Sequence, residues 1–503
     1  MKIVKSLLPL TMLLLSGCVV GPDYRTPEAA LPVKFSESAA KSAGDVTLNR
    51  WWENYHDKRL NALVEQGMNQ NLTVLQAMER ITEAQANVVL AGSGAWPQIS
   101  ANANATVAGQ DGSLLRAQQS GVPGITGPSH TQSKTLAASG SASWLLDLFG
   151  QYRRARESAN ANLDAVYNDV NVARVAYLND LTTAYISARF YQESLALDRL
   201  NLASRRETLK LTEDIRAAGA ASSLDVVQAE GLVNQTLAEI PPLEIGFYQA
   251  ANRIATLLGV PASTVTPSLL AGSGQPMPRY SAKAGIPADL IRNRPDIRRA
   301  ERTLAAATAQ IGVAESQLYP SLTLDGTINA SRVISAATGN LTGWSFGPNL
   351  IIPIFTGGAL QAQVDIANSQ AKQQYFAWKQ TVLNAVEEVE SAQAALIRDY
   401  QTVAALRRLV ASNEEALSLA RESYRGGAST ILDVLDAERN VANSRLTLAS
   451  SIRTLATDYA ALNVAIGGGS SIDTPVPTQA PRVAQVVGKA PVVKDNGSAP
   501  FTQ

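Results

Sequence analysis

Apolar positions along this chain recur with two different periods, and the periods alternate. From Pro97 to Val107, Ile99, Ala101, Ala103, Ala105 and Val107 take turns with Gln98, Ser100, Asn102, Asn104 and Thr106. Between Thr135 and Phe149, Leu136, Ala138, Gly140, Ala142, Trp144, Leu146 and Leu148 share one face, with Ser139, Ser141, Ser143 and Asp147 on the other. Leu322, Leu324, Gly326, Ile328 and Ala330 repeat the alternation against Ser321, Thr323, Asp325, Thr327 and Asn329. Trp344, Phe346, Pro348, Leu350, Ile352 and Ile354 form a last apolar row. A period of two predicts strands, here two hairpins. One such strand is usually half of a soluble hairpin; four of them, each about ten residues long, match the pattern of a transmembrane β-barrel. Trp96, Trp144, Tyr319 and Trp344 stand near the strand ends, as an interfacial aromatic girdle requires.

Elsewhere the period is helical. Residues 57–93 carry a loose apolar stripe (Leu60, Leu63, Val64, Leu72, Leu75, Ile81, Val88) that Pro97 closes. Gln151 to Arg216 contains neither Pro nor Gly, and Leu163, Val166, Val170, Ala173, Tyr177, Leu181, Ala184 and Ala188 step by three and four. Ala359 to Tyr424 is equally free of breakers. Helices of that length reach roughly 100 Å at 1.5 Å per residue, and a seam kept this far predicts coiled-coil packing. Each breaks at a glycine, Gly219 or Gly426-Gly427, and a second helix returns over about 224–257 and 431–465.

The whole layout is written twice. Trp96-Pro97 matches Tyr319-Pro320 (97 against 320), and Leu224-Asp225-Val226 matches Leu432-Asp433-Val434 (225 against 433). The two offsets differ, and the first copy's surplus falls mostly in the Gly/Ser/Gln-rich segment 109–134, within a hairpin. Duplication at this scale defines structural units. The expected organisation is a signal peptide (1–17), an extended arm (18–56), repeat 1 (57–258), a Pro-rich connector (259–288), repeat 2 (289–466) and a poorly ordered tail (467–503).

Charge and composition narrow the class. Lys+Arg and Asp+Glu both total 43, so nothing favours nucleic acid. Aromatic residues are 6%, thin material for a thick core. The one cysteine, Cys18, follows a basic start, a short apolar run and Leu15-Ser16-Gly17. That is a secretory signal too short to span a bilayer, and its Leu-Ser-Gly-Cys end resembles a bacterial lipobox, in which Cys18 becomes a lipidated N-terminus. Val19 in place of Asp favours the outer membrane. His56 and His130 have no ligand spacing, no catalytic constellation is present, and neither an enzyme nor a bound metal or cofactor is expected, apart from the covalent lipid.

Four strands cannot close a barrel, and open edges are not tolerated in lipid. A ring of identical chains solves both problems. These parts resemble the TolC-like outer-membrane factors, in the NodT-type lipoprotein branch. Gly21-Pro22-Asp23-Tyr24, Trp51-Trp52, Asn71-Leu72, Arg294-Pro295-Asp296-Ile297-Arg298, Ile311-Gly312-Val313-Ala314, Tyr319-Pro320 and Gly427 with Leu432-Asp433-Val434-Leu435-Asp436-Ala437 carry the likeness across most of 18–467. The resemblance implies a mainly α, internally duplicated homotrimer. Its twelve-stranded β-barrel would be continued by a twelve-helix periplasmic tunnel, with a periplasmic adaptor and an inner-membrane pump of RND type as partners. Passive efflux of drugs or other small molecules is the expected function. A protein-secretion duct or a pore-free periplasmic spacer are the alternatives.

The residues of interest lie just beyond the helix breaks. Ser222 and Thr430 are suited to cap helices, with Asp225 and Asp433 as their acidic partners. Asp436 lies one turn beyond Asp433, and Arg439 one turn beyond Asp436. In a trimer the acids would stack as carboxylate rings. By resemblance Asp433 and Asp436 match the acidic constriction of a periplasmic gate and Leu432 an apolar one. Tyr424 and Asp225 match latch residues. Ser429 stands where the TolC pattern has a latch arginine. The turns around Gly219, Ser222, Gly427 and Thr430 are the expected adaptor contact. Substituting Cys18→Ser should leave the protein without palmitate label; labelling equal to the unsubstituted protein would remove the lipoprotein assignment.

Overall fold

The computed structural model describes residues 19–37, 46, 49–112, 129–272, 274–278, 287–334 and 339–471. The signal segment, Cys18 and residues 472–503 of the tail lie outside them. After a 3-10 turn at Trp51–Tyr55 come α1 (Lys58–Gln70), α2 (Leu72–Ser93), β1 (Gln98–Gly112), β2 (Ser129–Leu146), α3 (Gln151–Ala217) and α4 (Ser223–Leu257). Next are α5 (Ala262–Leu270), α6 (Pro287–Asn293), α7 (Pro295–Ser316), β3 (Ser321–Ile334), β4 (Gly339–Ile351), α8 (Ala359–Arg425) and α9 (Ile431–Ala465). The helices α3 and α8 both have 67 residues, and α4 and α9 both have 35. The duplication visible in the sequence is therefore kept element by element.

Local chemistry sets the boundaries. The helix expected over 57–93 divides at Asn71, whose backbone is extended (φ −63°, ψ 120°). Its Oδ1 accepts from the Val74 N–H at 3.0 Å, capping α2, while its Nδ2 donates to the Leu257 carbonyl at 2.7 Å. The second copy starts α7 differently, with Pro295 in the first turn, where its missing N–H costs nothing. Arg294 holds that start in place. Its fork donates to both Asp296 oxygens (3.0 and 2.6 Å), and Nη1 to Glu388 (2.6 Å) and the Ala465 carbonyl (2.9 Å). Pro241 and Pro242 sit inside α4 on an exposed stretch, where the freed carbonyls meet solvent. The connector between the repeats is partly helical, because Val265 and Leu269 of α5 are buried.

The chain forms two compact units, each built from three segments. The first contains the sheet, an antiparallel meander in the order β1-β2-β3-β4. Its register sorts side chains by polarity. Ile99 faces Ala142, Ala142 faces Gly326 and Gly326 faces Phe346, and one row further Ala101, Gly140, Ile328 and Trp344 line up. The opposite face carries the row Ser100, Ser141, Thr327, Ser345, closed by hydroxyl pairs at 2.8 Å (Ser100–Ser141 and Thr327–Ser345). Below the sheet, α7 and α8 approach through Ala307, Ile311 and Ala314 against Ala367 and Ala371. Small residues permit that close packing, which is what the low aromatic content anticipated.

The Gly21-Pro22-Asp23-Tyr24 motif is also in this unit. Arg154, only 4% exposed, donates Nε to the Val20 carbonyl (3.0 Å) and Nη2 to the Gly21 carbonyl (3.0 Å) and Asp23 (2.9 Å). Tyr24 donates to Glu301 at 2.5 Å. Gly21 (φ +91°) lies so close to Gly312 that a Cβ would come within 2.4 Å of its Cα. Glycine is needed there on both counts.

The second unit is centred on aromatic rings. Trp51 and Trp52 are buried, and Tyr55 meets Tyr459 edge-on at 5.5 Å while donating to the Ala456 carbonyl at 2.5 Å. Gly467 to Ser470 are buried too, and Trp51 Nε1 donates to the Gly468 carbonyl at 3.3 Å. The expected loose tail from 467 therefore begins with packed residues. An Arg154→Ala substitution should release the arm at a cost of about 1–3 kcal/mol, since three acceptors lose a charged donor. Limited proteolysis of the folded protein should then cut within residues 19–30.

Candidate functional site at the two helical turns

Both long helices end in the same turn. Ala220 N–H bonds the Ile215 carbonyl (3.0 Å) and Gly219 N–H the Arg216 carbonyl (2.9 Å); Ala428 repeats this on Ser423 (2.8 Å) and Gly427 on Tyr424 (3.1 Å). This is the Schellman arrangement, which needs a left-handed residue after the helix. Gly219 (φ +79°) and Gly427 (φ +73°) supply it. Any other residue would cost roughly 1–2 kcal/mol there, although a Cβ would meet nothing within 4 Å at either position.

The returning helices start on the expected caps. Ser222 Oγ accepts from the Asp225 N–H (3.2 Å), and Asp225 Oδ2 in turn accepts from the Ser222 N–H (2.7 Å). In the second copy Asp433 Oδ2 takes both the N–H and the hydroxyl of Thr430, each at 2.9 Å. Asp225 and Asp433 are thus helix-capping acids, and negative charge there is further favoured by the helix N-terminus. Asp436 has no such role. It lies 68% exposed, 3.6 Å from Arg439 and 3.3 Å from the Asn440 amide. An exposed pair of this kind contributes about 0–1 kcal/mol. Leu432 is 52% exposed, so α9 presents Leu432, Asp433, Asp436 and Arg439 together on one open face.

Behind that face Ile431, Val434 and Leu435 are buried against Ala229, Leu232 and Tyr424. The Tyr424 ring therefore belongs to its own chain's core, while its hydroxyl has no partner among the described residues. The Ser429 hydroxyl is likewise buried and unpaired. Sequence reasoning passed over a polar cluster just below. Glu438 Oε1 accepts from Arg421 (2.7 Å), Thr208 (2.6 Å) and Ser204 (3.4 Å), joining α3, α8 and α9. One signal was available: Glu213 occupies the position in copy 1 that Arg421 holds in copy 2, a reversal of charge between otherwise parallel walls.

The aromatic positions separate. Trp96 is 70% exposed just before β1, and Tyr319 stacks on Phe149 at 4.6 Å just before β3. Trp144 Nε1 donates to the Ala95 carbonyl at 2.9 Å, close to the end of β2. Trp344 instead pairs with Ile328 and sits inside the apolar face. Cys18 is outside the described residues, but Val20 N–H bonds the Phe149 carbonyl (3.2 Å) and Val19 packs on Gly150. The arm therefore begins beside the strand ends.

A second acidic pair was not anticipated. Asp399 on α8 and Asp458 on α9 meet, and the buried Asp399 Oδ2 has no other partner among the described residues. Burial first, then the neighbouring carboxyl, pushes Asp458 up to about 7. One shared proton resolves the conflict.

A four-stranded antiparallel sheet with one apolar and one polar face, joined twice to hairpins of very long helices, defines the subunit of an outer-membrane channel. The outer membrane efflux protein family profile matches residues 63–260 and 286–468, and the chain belongs to that family. Nodulation protein T of Rhizobium leguminosarum bv. trifolii is 50% identical over 471 residues, covering 93% of this chain and 98% of the relative. The pyoverdine export outer membrane protein OpmQ of Pseudomonas putida is 29% identical over 93% of this chain and 98% of its own. Among solved structures, the outer-membrane channel OprN superposes with a TM-score of 0.77 at 32% identity, covering 90% of this chain and all of that one. The protein is an outer-membrane efflux channel subunit with a long periplasmic part.

The carboxyl pair gives a pH dependence with a definite sign. A carboxyl raised in the folded state stabilises it below its unfolded value near 4, and that contribution is lost as pH climbs to about 7. At a half-buried pair the loss should be about 1 kcal/mol after solvent screening. Asp458→Asn should flatten the dependence, read as midpoint temperature against pH from 4 to 8.

Proposed function

We propose that three copies of this chain close a twelve-stranded barrel and a twelve-helix tunnel, and that the assembly is a passive exit duct for small molecules. The sheet register carries this proposal. Its apolar and polar faces are continuous across all four strands, while β1 and β4 each have an open edge. In lipid, such edges must be paired. Pairing β1 of one copy with β4 of the next leaves the hydroxyl face inside, against water, and the aliphatic face outside. The packing of Val19 and Val20 at the strand ends supports lipidation of Cys18, since an acyl chain there enters the bilayer at once.

The gate is proposed at the turns. Leu432, Asp433, Asp436 and Arg439 share the open face of α9, and rings of these residues would narrow the tunnel and concentrate cations. Tyr424 and Asp225 would hold neighbouring coils. The Tyr424 hydroxyl, buried and without a partner among the described residues, is the group such a contact would use, and with no latch arginine at Ser429 the contact would carry more of the closure. The turns at Gly219–Ser222 and Gly427–Thr430 present short, open backbone to a periplasmic adaptor, which would couple the duct to an inner-membrane pump of RND type. A polar lumen lined with Ser, Thr and Asn has little means of selecting cargo, and the likeness to a pyoverdine exporter favours small solutes over folded proteins.

In planar bilayers, Asp436→Ala combined with Asp433→Ala should raise conductance several-fold and weaken block by divalent cations. Asp433→Ala alone loses a helix cap worth about 1 kcal/mol; unchanged currents in the double variant would leave these acids as helix caps only and remove the acidic gate. Gly427→Asp should leave trimers intact and abolish efflux, and normal drug tolerance in that strain would reject the adaptor contact.

A further inference from the structure

The aliphatic face of the sheet is interrupted at one end by two cations. The register places Lys134 opposite Ile334 and Leu136 opposite Arg332. Lys134 and Arg332 therefore share the face of Leu136, Ile328 and Trp344 and are diagonal neighbours, about 7–8 Å apart in the backbone. Both are exposed. No carboxylate of the described side chains on the strands lies on that face, because Asp325 belongs to the polar row with Ser143. Two like charges side by side repel each other, and toward lipid the described side chains of the strands offer them no counter-charge, which leaves an anion of the surroundings to supply one.

Their height identifies the partner. Lys134 and Trp144 lie on one strand, ten residues apart (134 against 144). At about 3.4 Å per residue and a tilt near 40°, that is roughly 25 Å, the height of the apolar band of an outer-membrane barrel. Trp144 marks the periplasmic rim, since β2 runs on into α3. Lys134 and Arg332 then lie at the opposite rim, level with the head groups of the outer leaflet. They are also on β2 and β3, the inner strands of the sheet, so edge pairing with other copies does not cover them.

We propose that Lys134 and Arg332 form a docking site for a phosphate of the phosphorylated saccharolipid in the outer leaflet. The acyl chains would lie on the surface below, where Ala103, Ala105, Ala138 and Ala330 make a shallow strip flanked by Leu136 and Ile328. Asn340, opposite Arg332, adds a neutral polar group beside the phosphate. The Arg fork suits a phosphate bidentately and Lys adds a point charge. The site rests on the barrel assembly proposed above, but it is independent of cargo and gate.

The experiment is native mass spectrometry of the intact trimer with added diphosphorylated lipid A, its dephosphorylated form, or phosphatidylglycerol. The expected result is retained diphosphorylated lipid A, with occupancy at least tenfold lower for the dephosphorylated lipid and for Lys134→Ala/Arg332→Ala. Lys134→Arg, which keeps the positive charge, should retain the lipid that Lys134→Ala loses. Equal retention of phosphatidylglycerol, or undiminished lipid A on the double variant, would overturn the site. A double variant that does not assemble is replaced by Lys134→Gln and Arg332→Gln singly, each expected to lower occupancy; unchanged occupancy in both would also overturn it. Failure of the unsubstituted chain to form any trimer would instead refute the assembly.

Discussion

A backbone N–H or C=O left unpaired in hydrocarbon costs several kcal/mol, and this demand governs the molecule. The sheet satisfies it inside the chain through three antiparallel ladders and leaves it unmet along β1 and β4. One chain is thus an incomplete solution, whose missing part is another copy of itself. The duplicated design follows from the same demand. Two similar sectors per chain allow a closed ring with few subunits, and every strand pair then continues into helices that must pack with the same periodicity.

Helix packing by small residues is the second consequence. Walls that carry a lumen cannot have a thick core, so α7 and α8 meet through alanines around Ile311, and the second unit gathers an aromatic cluster of Trp51, Trp52, Tyr55 and Tyr459. Charge is handled differently in the two copies. Arg294 ties a helix start to Glu388 and the end of α9, whereas Asn71 does the equivalent work with one amide. The long helices of the two copies agree in length and depart in polar side chains, and those departures include Tyr424, Asp436, Arg439 and Arg421, all close to the turns.

Much of this was legible in the chain. The ends of α3, α4, α8 and α9 were readable because glycine, serine, threonine and aspartate fix them by contacts within five residues. Strand faces were readable because a period of two needs no partner. The break at Asn71 was missed, since its amide is satisfied by Leu257, far away in sequence. The pairs Arg421–Glu438 and Asp399–Asp458 were missed for the same reason: a helix sequence gives the face of a charge but not what stands opposite. The part played by Asp225 and Asp433 lay between these cases. Their spacing from Ser222 and Thr430 allowed capping, and the bond lengths established it.

The equal lengths of the two long helices, 67 residues each, and of the two returning helices, 35 each, act as a ruler. If one hairpin gained a turn, its tip would stand about 5 Å out of line with the other. Insertions and deletions are thereby forbidden along the walls unless both copies change together. The β1–β2 and β3–β4 connections, 113–128 against 335–338, already differ in length between the copies. Drift in chain length is thereby channelled into those connections.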